Sequence, residues 1–136
     1  MEPLEQLRAK IKGFPGYDTD LERRRSDEYV RSYLGEALTE FAQRENLPAD
    51  QQQRIADLLL RVGFANARDF ATRHIVAAKH DAHESDEVAT ADVATVELAD
   101  RAASLDANAT SSYLNEVVAL LDARETVIRA VTSKTT

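Results

Sequence analysis

The feature that most constrains this chain is a helical spacing of apolar residues that recurs four times with little between the repeats. Val30, Leu34, Ala37, Leu38 and Phe41 follow one another at intervals of 3, 4 or fewer, which on a 3.6-residue helix places them on one face. Tyr29 and Tyr33 broaden that face. A second series runs through Ile55, Leu58, Leu59, Val62, Phe70 and Ile75. A third, Val88, Ala91, Thr95, Leu98, Ala102 and Leu105, alternates 3 and 4 as in the seam of a helix bundle, and its small residues let a neighbouring helix come close. The fourth uses Leu114, Val117, Val118, Leu121 and Ile128, widened by Tyr113, Leu120 and Val127.

Punctuation between the series sets the boundaries. Thr19 followed by Glu22 has capping-box spacing, with Asp18 as a competing N-cap. Asn46-Leu47-Pro48 stops one helix and starts the next, because the residue before proline avoids the α region and proline suits a first turn. Ser85 reads as an N-cap with Asp86 and Glu87 behind it, and Asp106-Ala107-Asn108 separates the last two helices. Long helices are therefore expected over 19–45, 48–82, 86–105 and 110–131. A short helix over 3–12 precedes them, opened by Pro3 and carrying Leu4, Leu7 and Ile11 on one side. Only four Gly and three Pro in 136 residues, and no Trp, also favour helix over strand.

Long helices joined by short connections pack as antiparallel neighbours. The expectation is an all-α protein: one domain over 1–136, an antiparallel four-helix up-down bundle with an additional short N-terminal helix. A homodimer through the wide face of the first two long helices would use the same pattern. Phe14-Pro15-Gly16-Tyr17 is the sharpest turn, with Pro presetting φ and Gly accepting positive φ after it. Its two rings are expected to fold back as a clasp over one end of the bundle; exposed, they would instead anchor a partner.

Charge and composition narrow the function. The net charge is −7, and residues 76–136 carry 11 acidic against 5 basic groups, a balance that repels a phosphate backbone. Arg23-Arg24-Arg25, the one basic cluster, is flanked by acidic residues at helical pairing distance and reads as a solvated face rather than a nucleic-acid site. No stretch approaches the roughly 20 apolar residues of a membrane span, and Met1 to Lys12 hold no uninterrupted apolar run, so a cytoplasmic location is the simplest expectation. With no Cys, thiolate catalysis and cysteine metal sites are excluded.

Chemistry is sparse. No Glu-x-x-His motif is present, as a di-iron bundle requires, and all three histidines lie between residues 74 and 83. His80, His83 and Glu84 share metal-ligand spacing if helix continues through them, and are the divalent-metal candidates. Asn66 on the projected apolar stripe, with Asp69, Arg73 and His74 beyond it, is the candidate for a buried polar layer or a small-ligand pocket. Gly63, inside a helix, suggests a close crossing or a kink. No nucleophile elbow and no Gly-rich phosphate loop occur, and no cofactor is expected. The reading favours a non-enzymatic protein-interaction or scaffolding module, with a protein partner or self-association. A small-ligand or divalent-metal-binding bundle is the alternative, and an enzymatic site scattered over several helices would leave little trace in sequence.

Overall fold

In the computed structural model the backbone is described for residues 2–77 and 82–134, and side chains for 2–63 and 86–130. The described chain is an all-α bundle. Its helices are α1 (Pro3–Lys10), α2 (Asp20–Arg44), α3 (Ala49–Ala77), α4 (Ala82–Arg101) and α5 (Thr110–Lys134), with two single 3-10 turns, Ala102–Ser104 and Ala107–Ala109, before α5.

Local chemistry explains most of these ends. The Thr19 hydroxyl accepts from the Glu22 amide, and the Glu22 carboxylate accepts in return from the amides of Thr19 and Asp18, each at 3.1 Å. The capping box therefore forms, with Thr19 rather than Asp18 as the cap. Gly13 (φ 80°) and Gly16 (φ 103°) supply the two left-handed residues of the turn. The Ser26 hydroxyl locks that turn by donating to the Gly16 carbonyl at 2.6 Å and accepting from its amide at 3.2 Å.

Several boundaries differ from expectation. The helix expected over 48–82 is Ala49–Ala77, with Ala82 already opening α4, and the last helix reaches Lys134 and not 131. The first helix ends at Lys10 because Ile11 is already extended. Ser85 lies inside α4, which begins at Ala82; an N-cap preference is local and yields when the residues before it are themselves helical. At its other end α4 passes after Arg101 into the 3-10 turn Ala102–Ser104, which carries helical backbone close to the expected 105, and Arg44 from α2 donates there to the carbonyls of Ala102 (2.9 Å) and Ala103 (3.3 Å).

The described cross-contacts give the arrangement. α2 runs antiparallel to α3, with Arg31 opposite Val62, and α4 antiparallel to α5, with Leu98 opposite Tyr113. These hairpins lie against each other, so that α2 packs on α4 and α3 on α5. Both of those pairs run parallel, as the bonds Tyr33 to Asp100 and Arg44 to Ala102, and Arg54 to Asn115 and Arg61 to Asp122, require. α1 lies along α4.

Two apolar clusters fill the interior. Leu34, Leu38, Phe41, Ile55, Leu58, Leu114, Val117 and Leu121 belong to the larger one, so the expected faces of α2, α3 and α5 are the buried ones. The smaller joins Leu7, Ile11, Phe14 and Tyr17 to Val30, Val88 and Val96. Phe14 and Tyr17 are buried, edge to face at 5.8 Å, which makes them the expected clasp and not exposed anchors. Tyr29, expected to widen the buried face of α2, is 42% exposed.

Candidate functional site

Three charged side chains occupy positions where the helix pattern calls for apolar ones. On α2 Asp27 precedes Val30 and Leu34, on α4 Asp92 lies between Val88 and Thr95, and on α5 Arg124 lies between Leu121 and Ile128. None is more than 1% exposed. Burying an unpaired charge is very unfavourable, and here each is paired. Arg124 donates through Nε to Asp92 Oδ1 at 2.6 Å and through Nη2 to Asp27 Oδ1 at 2.8 Å. The other Asp27 oxygen accepts from Arg31 Nε at 2.8 Å, and the other Asp92 oxygen accepts from the Tyr17 hydroxyl. Arg31 then reaches α3, donating to the carbonyls of Val62 (3.0 Å) and Gly63 (3.1 Å).

Two carboxylates and two guanidiniums make the set electrically neutral, and it links α2, α3, α4, α5 and the N-terminal turn. Arginine suits this task, since its planar fork bridges two carboxylates where a lysine ammonium is only a point charge. Burial pushes the Asp92 carboxyl above the ordinary carboxylate value, against the opposing pull of Arg124. Burial also raises the Tyr17 hydroxyl, helped by the adjacent Asp92 charge. Arg124 would lose its proton more easily through burial alone, but Asp92 and Asp27 more than offset this and hold it more firmly cationic. Among the described residues Arg124 Nη1 is the one fully buried side-chain atom of this network without a hydrogen-bond partner.

The network has the composition of a catalytic site without the access. Its carboxylates are sealed, and the buried hydroxyls nearby are engaged: Ser26 with Gly16, Thr95 with the Ala91 carbonyl at 2.9 Å. Arg23, read from sequence as part of a solvated face, is buried as well, donating to the Tyr17 carbonyl (3.0 Å) and to Asp20 (2.9 Å). The inward pull on Arg23 comes from a loop carbonyl left free by the turn.

Accessible grooves flank α2, and another of about 480 Å³ opens between α4 and α5, with Ala94, Leu98, Leu120 and Ala123 among its walls. Between α2 and α3 runs an open groove of about 470 Å³, with Gly35, Glu36, Glu40, Leu59, Val62 and Gly63 among its walls and Arg31 at one end. Between α2 and α4 a smaller groove of about 260 Å³ holds Tyr33, whose hydroxyl donates to Asp100 at 2.5 Å, while Lys10 pairs with the other Asp100 oxygen at 2.9 Å. That bond to Asp100 is the main reason the Tyr33 hydroxyl is pushed up to about 12. Burial would raise the Asp100 carboxyl, but the bonds from Tyr33 and Lys10 outweigh it and hold it below the ordinary value.

The side chains of Asn66, Asp69, Arg73, His74, His83 and Glu84 lie outside the described residues, as does His80 altogether. Within the described residues no group of three or more His, Asp or Glu is placed to hold a metal ion, and no helix is long and apolar enough to cross a membrane. Gly63 is not the site of a close helix crossing, since a Cβ there would meet no atom within 4 Å. Sequence reasoning missed the buried network, although its signal was present: Arg124 falls 3 after Leu121 and 4 before Ile128, squarely on the apolar stripe. The chain matches no protein-family model, no curated protein and no solved structure.

Proposed function

We propose that this chain is a non-enzymatic helical module that works by binding another protein, its interior fixed by internal charge pairing and its outer helix faces left for contact. One observation carries this reading. Among the described residues, the buried side chains with such chemistry, Asp27, Asp92, Arg31, Arg124 and Tyr17, are spent on one another in a sealed, neutral cluster, while the groove between α2 and α3 is open and has walls of small and apolar residues with carboxylates at its rim. An active site needs its reactive groups exposed to a substrate; an interaction surface needs shape and an edge of charge. Self-association to a homodimer is one form such binding takes.

A small-ligand bundle is the second reading, favoured by the groove's volume, which falls in the range of ligand pockets. Native mass spectrometry of protein purified without added metal or ligand separates the two. Polypeptide masses alone, as monomer or dimer, agree with the interaction module. A metal ion or metabolite retained in stoichiometric amount would overturn it in favour of the ligand-binding bundle.

A further inference from the structure

Gly35, opposite Leu59, and Gly63, opposite Arg31, both line the α2–α3 groove, and among the described residues no contact requires either to be glycine. Gly35 and Gly63 both lie within helices and have no positive φ, which in this chain belongs to Gly13 and Gly16. A Cβ at Gly63 would meet nothing within 4 Å. At Gly35 it would meet only Leu59 Cδ2 at 3.8 Å, an ordinary contact. Glycine in a helix interior lowers stability relative to alanine, so two positions accept a loss that no internal contact returns. Such a residue is expected where a second backbone comes close from outside.

Charge identifies what approaches. Glu36 and Glu40, both exposed, stand one turn apart on α2 at the groove edge, without an ion-pair partner among the described residues. Like charges at that spacing repel, a strain that an external cation would relieve. Two other polar groups in the groove walls are engaged within the chain: the Thr39 hydroxyl donates to the Gly35 carbonyl at 2.8 Å, and Arg31 is held by Asp27 and the α3 carbonyls. Leu59 and Val62 supply apolar surface.

We infer that this groove receives a basic amphipathic helix of another protein. Small and apolar residues of that helix lie against Gly35 and Gly63 along the groove, and its Lys or Arg side chains pair with Glu36 and Glu40. The inference rests on the interaction-module reading and specifies the partner's chemistry. With a net charge of −7, a second copy of this chain is a poor occupant of an acid-edged groove.

The test is selection of a phage-displayed library of random helical peptides on the intact protein, followed by binding measurements on the enriched sequences. Peptides with apolar residues at helical spacing and flanking Lys or Arg are expected. Their affinity should fall about tenfold or more in the exposed double variant Glu36→Lys, Glu40→Lys, because two favourable charge pairs become repulsive. It should also fall in Gly63→Leu, whose side chain enters the groove from a position with open space. If Gly63→Leu disturbs the fold, the charge reversal still decides the matter. Enrichment of acidic peptides, or binding unchanged by the charge reversal, would overturn the groove assignment and leave the interaction module standing. A dimer of the protein that Gly63→Leu dissolves would give the groove to a second copy and overturn the basic partner. Enrichment of no peptide at all would overturn both readings.

Discussion

Replacing Arg124 by Met is the sharpest probe of the interior, because one side chain at 1% exposure satisfies an oxygen of each of two sealed carboxylates. Without it Asp92 keeps only the Tyr17 hydroxyl and Asp27 only Arg31, and the cluster passes from neutral to a net negative charge. Two charge-assisted hydrogen bonds at about 1.5–3 kcal/mol each bracket the loss, which agrees with the roughly 3–5 kcal/mol typical of breaking a buried pair from one side. Against a domain stability of about 5–15 kcal/mol, that is a large fraction. Followed by circular dichroism in urea, with a slope of about 2 kcal/mol per molar, the midpoint should fall by about 1.5–2.5 M. The loss should also depend on pH in a particular direction. The folded-state value of Asp92 is raised above its unfolded 3.8, so its contribution is fully present below that value and is lost as pH rises through the folded one. Removing Arg124 raises the folded value further, so the penalty should be smaller at about pH 4 than at about pH 7. Adding Asp92→Asn to the Arg124→Met protein should recover part of the loss at neutral pH. A penalty below about 1 kcal/mol, or one that is the same at both pH values, would refute the account of a tightly coupled buried pair.

Three further outcomes follow from the structure. Gly35→Ala and Gly63→Ala should each stabilise the fold by about 0.5–1 kcal/mol in urea or thermal unfolding, and a loss at either site would mean that the chain itself needs the glycine. Tyr17→Phe should cost about 1–3 kcal/mol by depriving Asp92 of a donor, and Phe14→Ala about 3–5 kcal/mol by opening the clasp; equal stability of both variants and the parent would show that the clasp is not docked. In an ultraviolet titration Tyr33 and Tyr113 should ionise near 12, Tyr33 mainly through its bond to Asp100 and Tyr113 mainly through burial. Because those folded values exceed the unfolded 10, their contribution holds below pH 10 and disappears as pH rises towards 12, so alkaline unfolding should set in across that interval.

What was legible in the sequence is what depends on neighbours along the chain. The stripes through Leu34 and Leu38, through Ile55 and Leu58, and through Leu114, Val117 and Leu121 predicted the buried faces because helical spacing alone fixes which residues share a side. The capping box at Thr19 and Glu22 and the positive φ of Gly16 in the Phe14–Tyr17 turn were readable for the same reason. What failed depends on neighbours across space. Arg23 is buried and donates to a carbonyl six residues away, and the last turn of the helix expected to reach 105 is 3-10, with Arg44 of α2 bonded to its carbonyls. Asp27, Asp92 and Arg124 were passed over because each charge in isolation argues for the surface; only their mutual pairing makes the interior acceptable. The predominance of 13 Arg over 4 Lys gains a partial physical reason, since Arg23, Arg31 and Arg124 are all buried donors to two or more acceptors.

The chain accepts two kinds of destabilisation, and they point in opposite directions. A buried ion network is often no more stable than an apolar core of the same shape, but its hydrogen bonds tolerate one geometry only: shifting α5 by a turn would strand Arg124 away from both Asp27 and Asp92. A sealed network of this kind has a return inside the molecule, as the device that fixes how two hairpins and an N-terminal clasp meet. Gly35 and Gly63 have no such return. They loosen helices that the rest of the sequence works to hold in register, at positions where alanine fits. The proposed partner helix would therefore meet, on a fold whose interior is fixed so tightly, a groove already held in one shape.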